Sequence, residues 1–463
     1  MFIPELLSPA GSLKNMRYAF AYGADAVYAG QPRYSLRVRN NEFDYDNLAI
    51  GINEAHSLGK KLYVVNNIAP HNGKLKTFLQ DLAPVVEMQP DAMIMSDPGL
   101  IMLAREAHPE IDIHLSVQAN AINWASVKFW QSQGIKRVIL SRELSLDEIE
   151  EIRQRCPDIE LEVFVHGALC MAYSGRCLLS GYINKRDPNQ GTCTNACRWQ
   201  YQVNTAAEDE VGNLTMGETL HQESGCGSCG SQTSSSPLFM LQEGGRPGEL
   251  MPAYEDEHGT YIFNSRDLRA VQHVQRLIEI GVDSLKIEGR TKSFYYCART
   301  AQVYRRAIDD SVAGKVFDSG LMQELEHLAN RGYTEGFLKR HKNHGDYQNY
   351  DYASSVSDSQ QLVGEVLEVD EHGFALVDVK NKFVLGDTLE LMSPKGNQTF
   401  VLEKMQDRHR HDIDDAKGSG HKVWVKLPMQ VNSQYTVLMR HLPQAQTTRS
   451  SFVGSIELAS EAK

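Results

Sequence analysis

Up to Asp310 the chain alternates short apolar runs with longer stretches of helical period, the pattern of strands each followed by a helix in a parallel α/β sheet. The runs are Glu5–Pro9, Ala26–Gly30, Lys61–Asn67, Ala92–Asp97, Asp112–Ala119, Arg137–Glu143, Leu161–Gly167 and Ser284–Arg290. Strands of this kind most simply close into a (β/α)8 TIM-like barrel, with a doubly wound open sheet as the alternative. Ser145 and Glu148 form a capping box that opens the helix after the sixth run. Ser265 stands where an N-cap would precede Arg266, Asp267, Leu268 and Arg269.

The seventh and eighth runs are separated by an unusually long interval, residues 168–264. In a barrel such an insertion lies on the C-terminal face, where chemistry is done. Residues 168–203 carry a group of cysteines, and residues 204–252 include the Gly/Ser-rich tract HQESGCGSCGSQTSSSP, which reads as a mobile loop. Beyond a stretch rich in Gly, Tyr and His (330–352), strand patterns recur at Leu362–Val369, Phe374–Val379, Thr388–Met392, Phe400–Lys404, Lys422–Leu427 and Tyr435–Arg440. Turns at Asp370–Gly373, Pro394–Gly396 and Gly418–Gly420 separate several of them, which predicts a small antiparallel β-barrel. The expected organisation is a barrel domain over 1–330 with its cysteine-bearing insertion at 168–255, a linker at 331–358, a β-domain at 359–445 and a tail at 446–463.

Composition narrows the class. With 463 residues, 41% apolar and 23% charged, the chain is an ordinary globular protein of two or three domains. A net charge of -12 argues against a broadly basic, sequence-indifferent nucleic-acid binder, while leaving room for a local basic groove. No run of apolar residues is long enough to span a membrane, and the start MFIPELLSPAGS lacks the basic and apolar regions of a signal peptide. A cytoplasmic location is expected, where the eight cysteines serve as thiols or ligands rather than disulfides.

Four of those cysteines, Cys170, Cys177, Cys193 and Cys197, follow the spacing C-x6-C-x15-C-x3-C among several glycines. Four converging thiolates suit a tetrahedral zinc or an iron–sulfur cluster. Buried structural cysteines and a catalytic thiol are the alternatives. Cys156 and Cys297 lie in helical context and read as inert, and the isolated pair Cys226 and Cys229 reads as a loop feature.

The C-terminal ends of the predicted strands hold the other candidates: Asn66, Ser96, Gln118, Arg142, His166, Lys286, Glu288 and Arg290. Amides, guanidinium groups and an imidazole suit a polar, anionic small molecule beside a base or a cluster. Arg142 and Arg290 are the candidates to clamp a carboxylate, with Asn66 and Gln118 beside them. The general base is sought among His166, Glu162 and Glu288. Glu162 lies within a strand, where a carboxylate facing the barrel interior needs a partner or a role. Arg331, Lys339, Arg340 and Lys342, interleaved with Tyr333, Phe337, Tyr347 and Tyr350, suit the contacts of an RNA loop, against the plainer reading of a solvated linker.

The segment from Glu162 to Ser180, EVFVHGALCMAYSGRCLLS, matches the signature of the collagenase-like peptidase family, peptidase family U32. The opening ELLSPAGSLKNMRYAFAYGADAVYAG, the stretches RDPNQGTCTNACRW and SLKIEGRTKSFYYCARTAQVYRRAID, and YTEGF extend the resemblance over nearly the whole chain. Within the family it is most similar to the tRNA-hydroxylating branch. That resemblance implies an O2-independent hydroxylase of C5 of the wobble uridine of tRNA, giving 5-hydroxyuridine, with prephenate required. It further implies a 4Fe-4S cluster on Cys170, Cys177, Cys193 and Cys197 and a partner in the iron–sulfur assembly machinery. The residues 204–245 match the family weakly, so Cys226 and Cys229 stay outside this implication.

Two other readings compete. A true peptidase is disfavoured because neither an H-E-x-x-H nor a G-x-S-x-G motif occurs. A noncatalytic module, with a structural cluster and a β-domain that grips RNA or protein, is the second.

Overall fold

The computed structural model describes residues 2–36, 41–169, 266–330, 332–339, 359–429 and 431–442, with strand backbone at 201–208, 214–216, 238–243, 250–256 and 259–260. The chain divides into two compact units, Met1–Val356 and Ser357–Lys463.

In the first unit seven parallel strands run in chain order: β1 (Glu5–Pro9), β2 (Ala26–Gly30), β3 (Lys61–Asn66), β4 (Ala92–Met95), β5 (Ile113–Leu115), β6 (Arg137–Ile139) and β7 (Glu160–Ala168). The insertion holds β8 (Tyr201–Glu208), β9 (Leu214–Met216), β10 (Leu238–Glu243), β11 (Leu250–Asp256) and β12 (Gly259–Thr260). After β13 (Asp267–Arg269) comes β14 (Ser284–Ile287), which pairs in parallel with both β1 and β7 and so closes an eight-stranded parallel barrel. Helices follow the strands, among them Leu13–Ala21, Pro98–Ala107, Leu146–Arg155 and Phe294–Val312. Strands such as β2 and β4 are buried along their whole length, because one face fills the barrel and the other lies under helices. The TIM-like barrel expectation holds, and the open-sheet alternative falls.

The charged ends of several strands fold inward to make a polar floor. Arg137 Nη1 reaches Glu5 Oε1 at 2.6 Å and Glu162 Oε2 at 3.1 Å, while its Nε donates to Glu160 at 2.8 Å. Tyr63 Oη and Ser284 Oγ also donate to Glu5. Burial alone would push the Glu5 carboxyl up, but the Arg137 guanidinium brings it below its ordinary value.

Three sequence expectations need correction. The insertion, expected to be unstructured, carries an antiparallel sheet in the order β12-β11-β10-β8-β9; the tract 221–237, read as a mobile loop, lies outside the described residues. No helix begins after Ser265. Asp267–Arg269 instead form β13, antiparallel to β7, and the helix starts at Val274. β7 runs past the last rung it shares with β6, and β13 satisfies the backbone groups that this leaves. The third concerns strand ends, several of which stop early: Val117–Ala119 is a 3-10 turn rather than strand. The capping box of Ser145 and Glu148 forms as expected.

The second unit contains β15's successors in sequence. β15 (Tyr333–Thr334) itself belongs to the barrel domain, beside β13. Then follow β16 (Gln360–Val369), β17 (Phe374–Val379), β18 (Phe383–Val384), β19 (Thr388–Ser393), β20 (Gly396–Val401), β21 (Met405–Gln406), β22 (Asp415–Ala416), β23 (Lys422–Lys426) and β24 (Val437–His441). Seven form an antiparallel sheet in the order β20-β19-β24-β16-β17-β23-β21, and β18 pairs with β22. Both sheets surround one core, including Val363, Val377, Phe383, Leu389, Val425 and Leu438. The expected antiparallel β-domain is present, with no pairing between its edge strands β20 and β21 among the described residues. The strand expected at Phe400–Lys404 lies earlier, because β19 and β20 turn tightly between Ser393 and Gly396.

Candidate active site

The site grows from the C-terminal ends of β7 and β14. Glu162 and Phe164 alternate on one face of β7, and Lys286 and Glu288 stand two residues apart along β14 and its extension. Lys286 Nζ donates to Glu162 Oε1 at 2.7 Å, and the same carboxylate takes Arg137 on its other oxygen. Burial drives the Lys286 ammonium below its ordinary pKa, and the Glu162 charge opposes that shift. Glu162 is therefore held between two cations inside the barrel.

Glu288 sits higher and is a fifth exposed. Tyr28, at the centre of β2, donates its hydroxyl to Ile287 O at 2.8 Å and to Glu288 Oε2 at 3.3 Å. Burial, then the neighbouring Glu288 charge, keeps Tyr28 protonated and able to donate. Lys286 Nζ lies 4.3 Å from the Tyr28 ring centre and Arg290 lies 5.7 Å from it. Arg142 stacks 3.7 Å over the Phe164 ring, and its Nη2 is 3.7 Å from Glu288 Oε2. Among the described residues Arg142 makes no shorter polar contact. Arg290 Nη1 donates to Ser35 Oγ. Gly30 ends β2 where these two pack: a Cβ there would stand 2.7 Å from Ser35 Oγ and 3.0 Å from Arg290 Nη1.

The remaining candidates divide. Gln118 Oε1 accepts from Asn67 Nδ2 at 3.1 Å and from Ser116 Oγ, beside the described mouth of β3 and β5. Asn66 is fully buried, and neither its Nδ2 nor its Oδ1 has a hydrogen-bond partner among the described residues. His166 departs from its expected place. β7 carries one extra residue against β14, since Phe164 pairs with Lys286 while His166 pairs with Ile287. That bulge re-aims His166, whose ring sits 5.4–5.8 Å from the rings of Tyr333, Tyr304 and Tyr296 rather than beside Phe164. Burial, with Arg269 and Lys292 nearby, lowers its pKa to about 3, so it is neutral at physiological pH. Tyr333, expected on an RNA-facing stretch, is part of this cage, and Arg269 stacks on it at 4.7 Å. Lys339 and Phe337 are exposed, and Arg331, Arg340, Lys342, Tyr347 and Tyr350 lie outside the described residues.

Gly167 explains how β7 and β14 meet. Its φ is +107°, and a Cβ would stand 2.4 Å from Glu288 O, so only glycine fits. Tyr296 Oη donates to that same carbonyl at 2.7 Å, and Glu288 N donates to His166 O at 2.8 Å.

Cys170, Cys177, Cys193 and Cys197 lie outside the described residues, as do Cys226 and Cys229. A set of four thiols has the donor chemistry of an iron–sulfur cluster. Among the described residues no three His, Cys, Asp or Glu side chains converge as a metal site. Cys156 and Cys297 are buried; Cys297 contacts Pro9 O at 3.4 Å, and burial pushes its thiol up to about 12. No helix among the described residues is long and apolar enough to cross a membrane.

Sequence reading missed Tyr28, Ser35, Phe164 and Arg137. For Tyr28, Phe164 and Arg137 the signal was present as polar or aromatic residues within the apolar runs, but only barrel closure reveals which face they share; Ser35 lies beyond the run that ends at Gly30.

Comparison with known proteins completes the description. The model of peptidase family U32 matches residues 11–348, and that of the peptidase family U32 C-terminal domain matches residues 358–440. The chain is 66% identical over 451 residues to the tRNA hydroxylation protein P of Escherichia coli strain K12, covering 97% of this chain and 99% of that one. It is 65% identical to the protein of the same name from Haemophilus influenzae, covering 96% and 98%. The 23S rRNA 5-hydroxycytidine C2501 synthase of Escherichia coli is 27% identical, over 92% of this chain and 59% of that protein.

Proposed function

The chain belongs to peptidase family U32, and on that premise we propose that it is a tRNA hydroxylase acting at C5 of the wobble uridine, with prephenate as co-substrate and without O2. The observation that carries the tRNA reading is the pair of relatives, 66% and 65% identical over nearly their whole length, that are named tRNA hydroxylation proteins. A third relative is named for hydroxylating a pyrimidine of ribosomal RNA.

The barrel mouth supports the choice of an anionic co-substrate. Arg142, which makes no hydrogen bond among the described residues, and Arg290 lie by Glu288 and Tyr28 respectively, and a dicarboxylate such as prephenate would bridge the two guanidinium groups. Asn66 and Gln118 would face the polar remainder of the ligand. Glu288 is the carboxylate placed to take a proton, since it is the more exposed of the two and is aligned by the Tyr28 hydroxyl. Glu162 would instead hold Lys286 in place, and neutral His166 would brace the strand end against Tyr304. A 4Fe-4S cluster on Cys170, Cys177, Cys193 and Cys197, delivered by the iron–sulfur assembly machinery, would supply electron transfer or Lewis acidity at this face.

The test is anaerobic purification with iron and sulfide analysis of the wild-type chain and of Cys193→Ala, followed by incubation with unmodified tRNA. About four irons per chain are expected in the wild type and their loss in the variant. Mass spectrometry of the digested tRNA should then show one oxygen added to uridine only when prephenate is present. An iron-free chain that folds normally, or uridine unchanged under all conditions, would overturn the reading.

A further inference from the structure

The outer face of the C-terminal sheet carries a surface that the barrel chemistry leaves unused. Along β17 and β23, Phe374, Leu376 and Trp424 face outward and half-exposed, with Leu376 directly opposite Trp424 and Phe374 opposite Lys426. Lys422 and Lys426 bracket Trp424 on its own strand. Over Trp424 lies Arg410, its guanidinium carbon 3.5 Å from the ring centre and 5.8 Å from that of Phe374. Lys426 Nζ lies 5.3 Å from the Phe374 ring.

Arg410 is held there by its own turn. It adopts a φ of +68°, a left-handed conformation that a residue with a Cβ adopts at a cost. Asp407 orders the turn by accepting from His409 N at 2.8 Å and His411 N at 2.9 Å. The turn thus presents Arg408, His409 and Arg410 together. The carboxylates nearby are committed: Asp370 pairs with Arg410 at 2.8 Å and Asp378 with Lys380 at 2.6 Å; Glu368, opposite Leu376 on β16, borders the patch. In a chain of net charge -12, cations interleaved with flat rings on one sheet face have the chemistry of a single-stranded nucleic-acid platform. Rings and the guanidinium plane stack bases, and the flanking lysines meet phosphates.

We propose that this face, centred on Arg410, Trp424 and Phe374 with Lys422 and Lys426, binds an unpaired stretch of the substrate RNA. The inference rests on tRNA being the substrate and adds where, on this chain, part of it is gripped.

The test measures binding of an unmodified tRNA transcript to the full-length chain by fluorescence anisotropy over a salt series, alongside hydroxylation of the same transcript. Three forms are compared with wild type: Trp424→Ala, the surface set Arg410→Ala with Lys422→Ala and Lys426→Ala, and Lys395→Ala on the β19–β20 turn. The Trp424 variant should bind roughly tenfold or more weakly, through loss of stacking. The triple variant should weaken binding and flatten the salt dependence by about one unit of slope for each phosphate contact removed. Both should hydroxylate at the wild-type rate when tRNA is saturating, and Lys395→Ala should match wild type throughout. Unchanged affinity and salt slope in the triple variant, whose residues are all exposed, would overturn the inference while leaving the hydroxylase reading intact. A wild-type chain that neither binds nor hydroxylates the transcript would overturn both.

Discussion

Lys286 Nζ and Glu162 Oε1 meet at 2.7 Å across the seam where β14 closes on β7, and both side chains are sealed from solvent. Lys286 stands two residues before Glu288 along the chain, and Arg137 donates to the other oxygen of Glu162. Removing Lys286 leaves Arg137 as the cation still on buried Glu162, so the loss is that of one charge-assisted hydrogen bond, about 1.5–3 kcal/mol. Lys286→Met is therefore expected to lower the unfolding free energy by about that amount in urea titration. The double variant Glu162→Leu with Lys286→Met should recover part of the loss, and a Lys286→Met chain as stable as wild type would contradict the arrangement.

Arg142 and Arg290 are expected to act on the co-substrate. Losing a charge-assisted hydrogen bond to a carboxylate costs about 1.5–3 kcal/mol, so Arg142→Ala should raise the KM for prephenate roughly 10- to 100-fold. Arg142 makes no hydrogen bond among the described residues but stacks on Phe164, so its removal should cost no more than about 2 kcal/mol of stability and leave the chain folded. A KM for prephenate equal to wild type, with tRNA saturating, would rule this residue out as the clamp.

Gly167 admits no side chain. Gly167→Ala combines a φ of +107° with a Cβ that meets Glu288 O at 2.4 Å, so β14 must move away from β7. A stability loss above about 2 kcal/mol is expected, together with a fall in kcat as Glu288 shifts from Tyr28. Denaturant unfolding and steady-state kinetics on the same sample check the two effects separately.

His166 has a folded pKa of about 3, below the value near 6.5 of an unfolded chain. Its contribution to stability is fully present above that unfolded value and is lost as pH falls toward about 3, because the unfolded chain takes up the proton first. His114, also buried and lowered by burial and by Arg137, adds to the same trend. Unfolding free energy should decline as pH falls through this window, and His166→Phe should decline less steeply. The pH dependence of turnover near neutrality should show no ionisation removed by His166→Phe; its disappearance in that variant would restore His166 as a proton carrier.

Cys297 should resist labelling in the native chain. Its thiol is fully buried and pushed up to about 12, so the reactive thiolate is scarce at neutral pH. Peptide mapping after alkylation without denaturant should find Cys297 unmodified, and rapid labelling would show that the helix Phe294–Val312 opens readily.

Much of this molecule is written locally. The eight apolar runs mark the barrel strands because a parallel strand covered on both faces must be apolar along its length, a demand visible without neighbours. The Ser145 capping box is legible for the same reason, as its two partners are three residues apart. Polar residues at strand ends announced Arg142, Glu288 and Arg290, since those positions open onto the face of a barrel where loops begin. The Gly/Ser composition of the insertion, by contrast, masked strands such as β8 and β10, whose pairing reaches across the whole Gly/Ser tract. Tertiary structure alone decided which side each candidate faces. One extra residue in β7 turns His166 into a cage of tyrosines, and a bulge of that kind depends on register with a strand more than a hundred residues away. The partners of Glu162 and the neighbours of Tyr28 were likewise fixed by closure of β14 onto β1 and β7, because hydrogen bonds and ion pairs act over a few ångströms of space and are indifferent to distance along the chain.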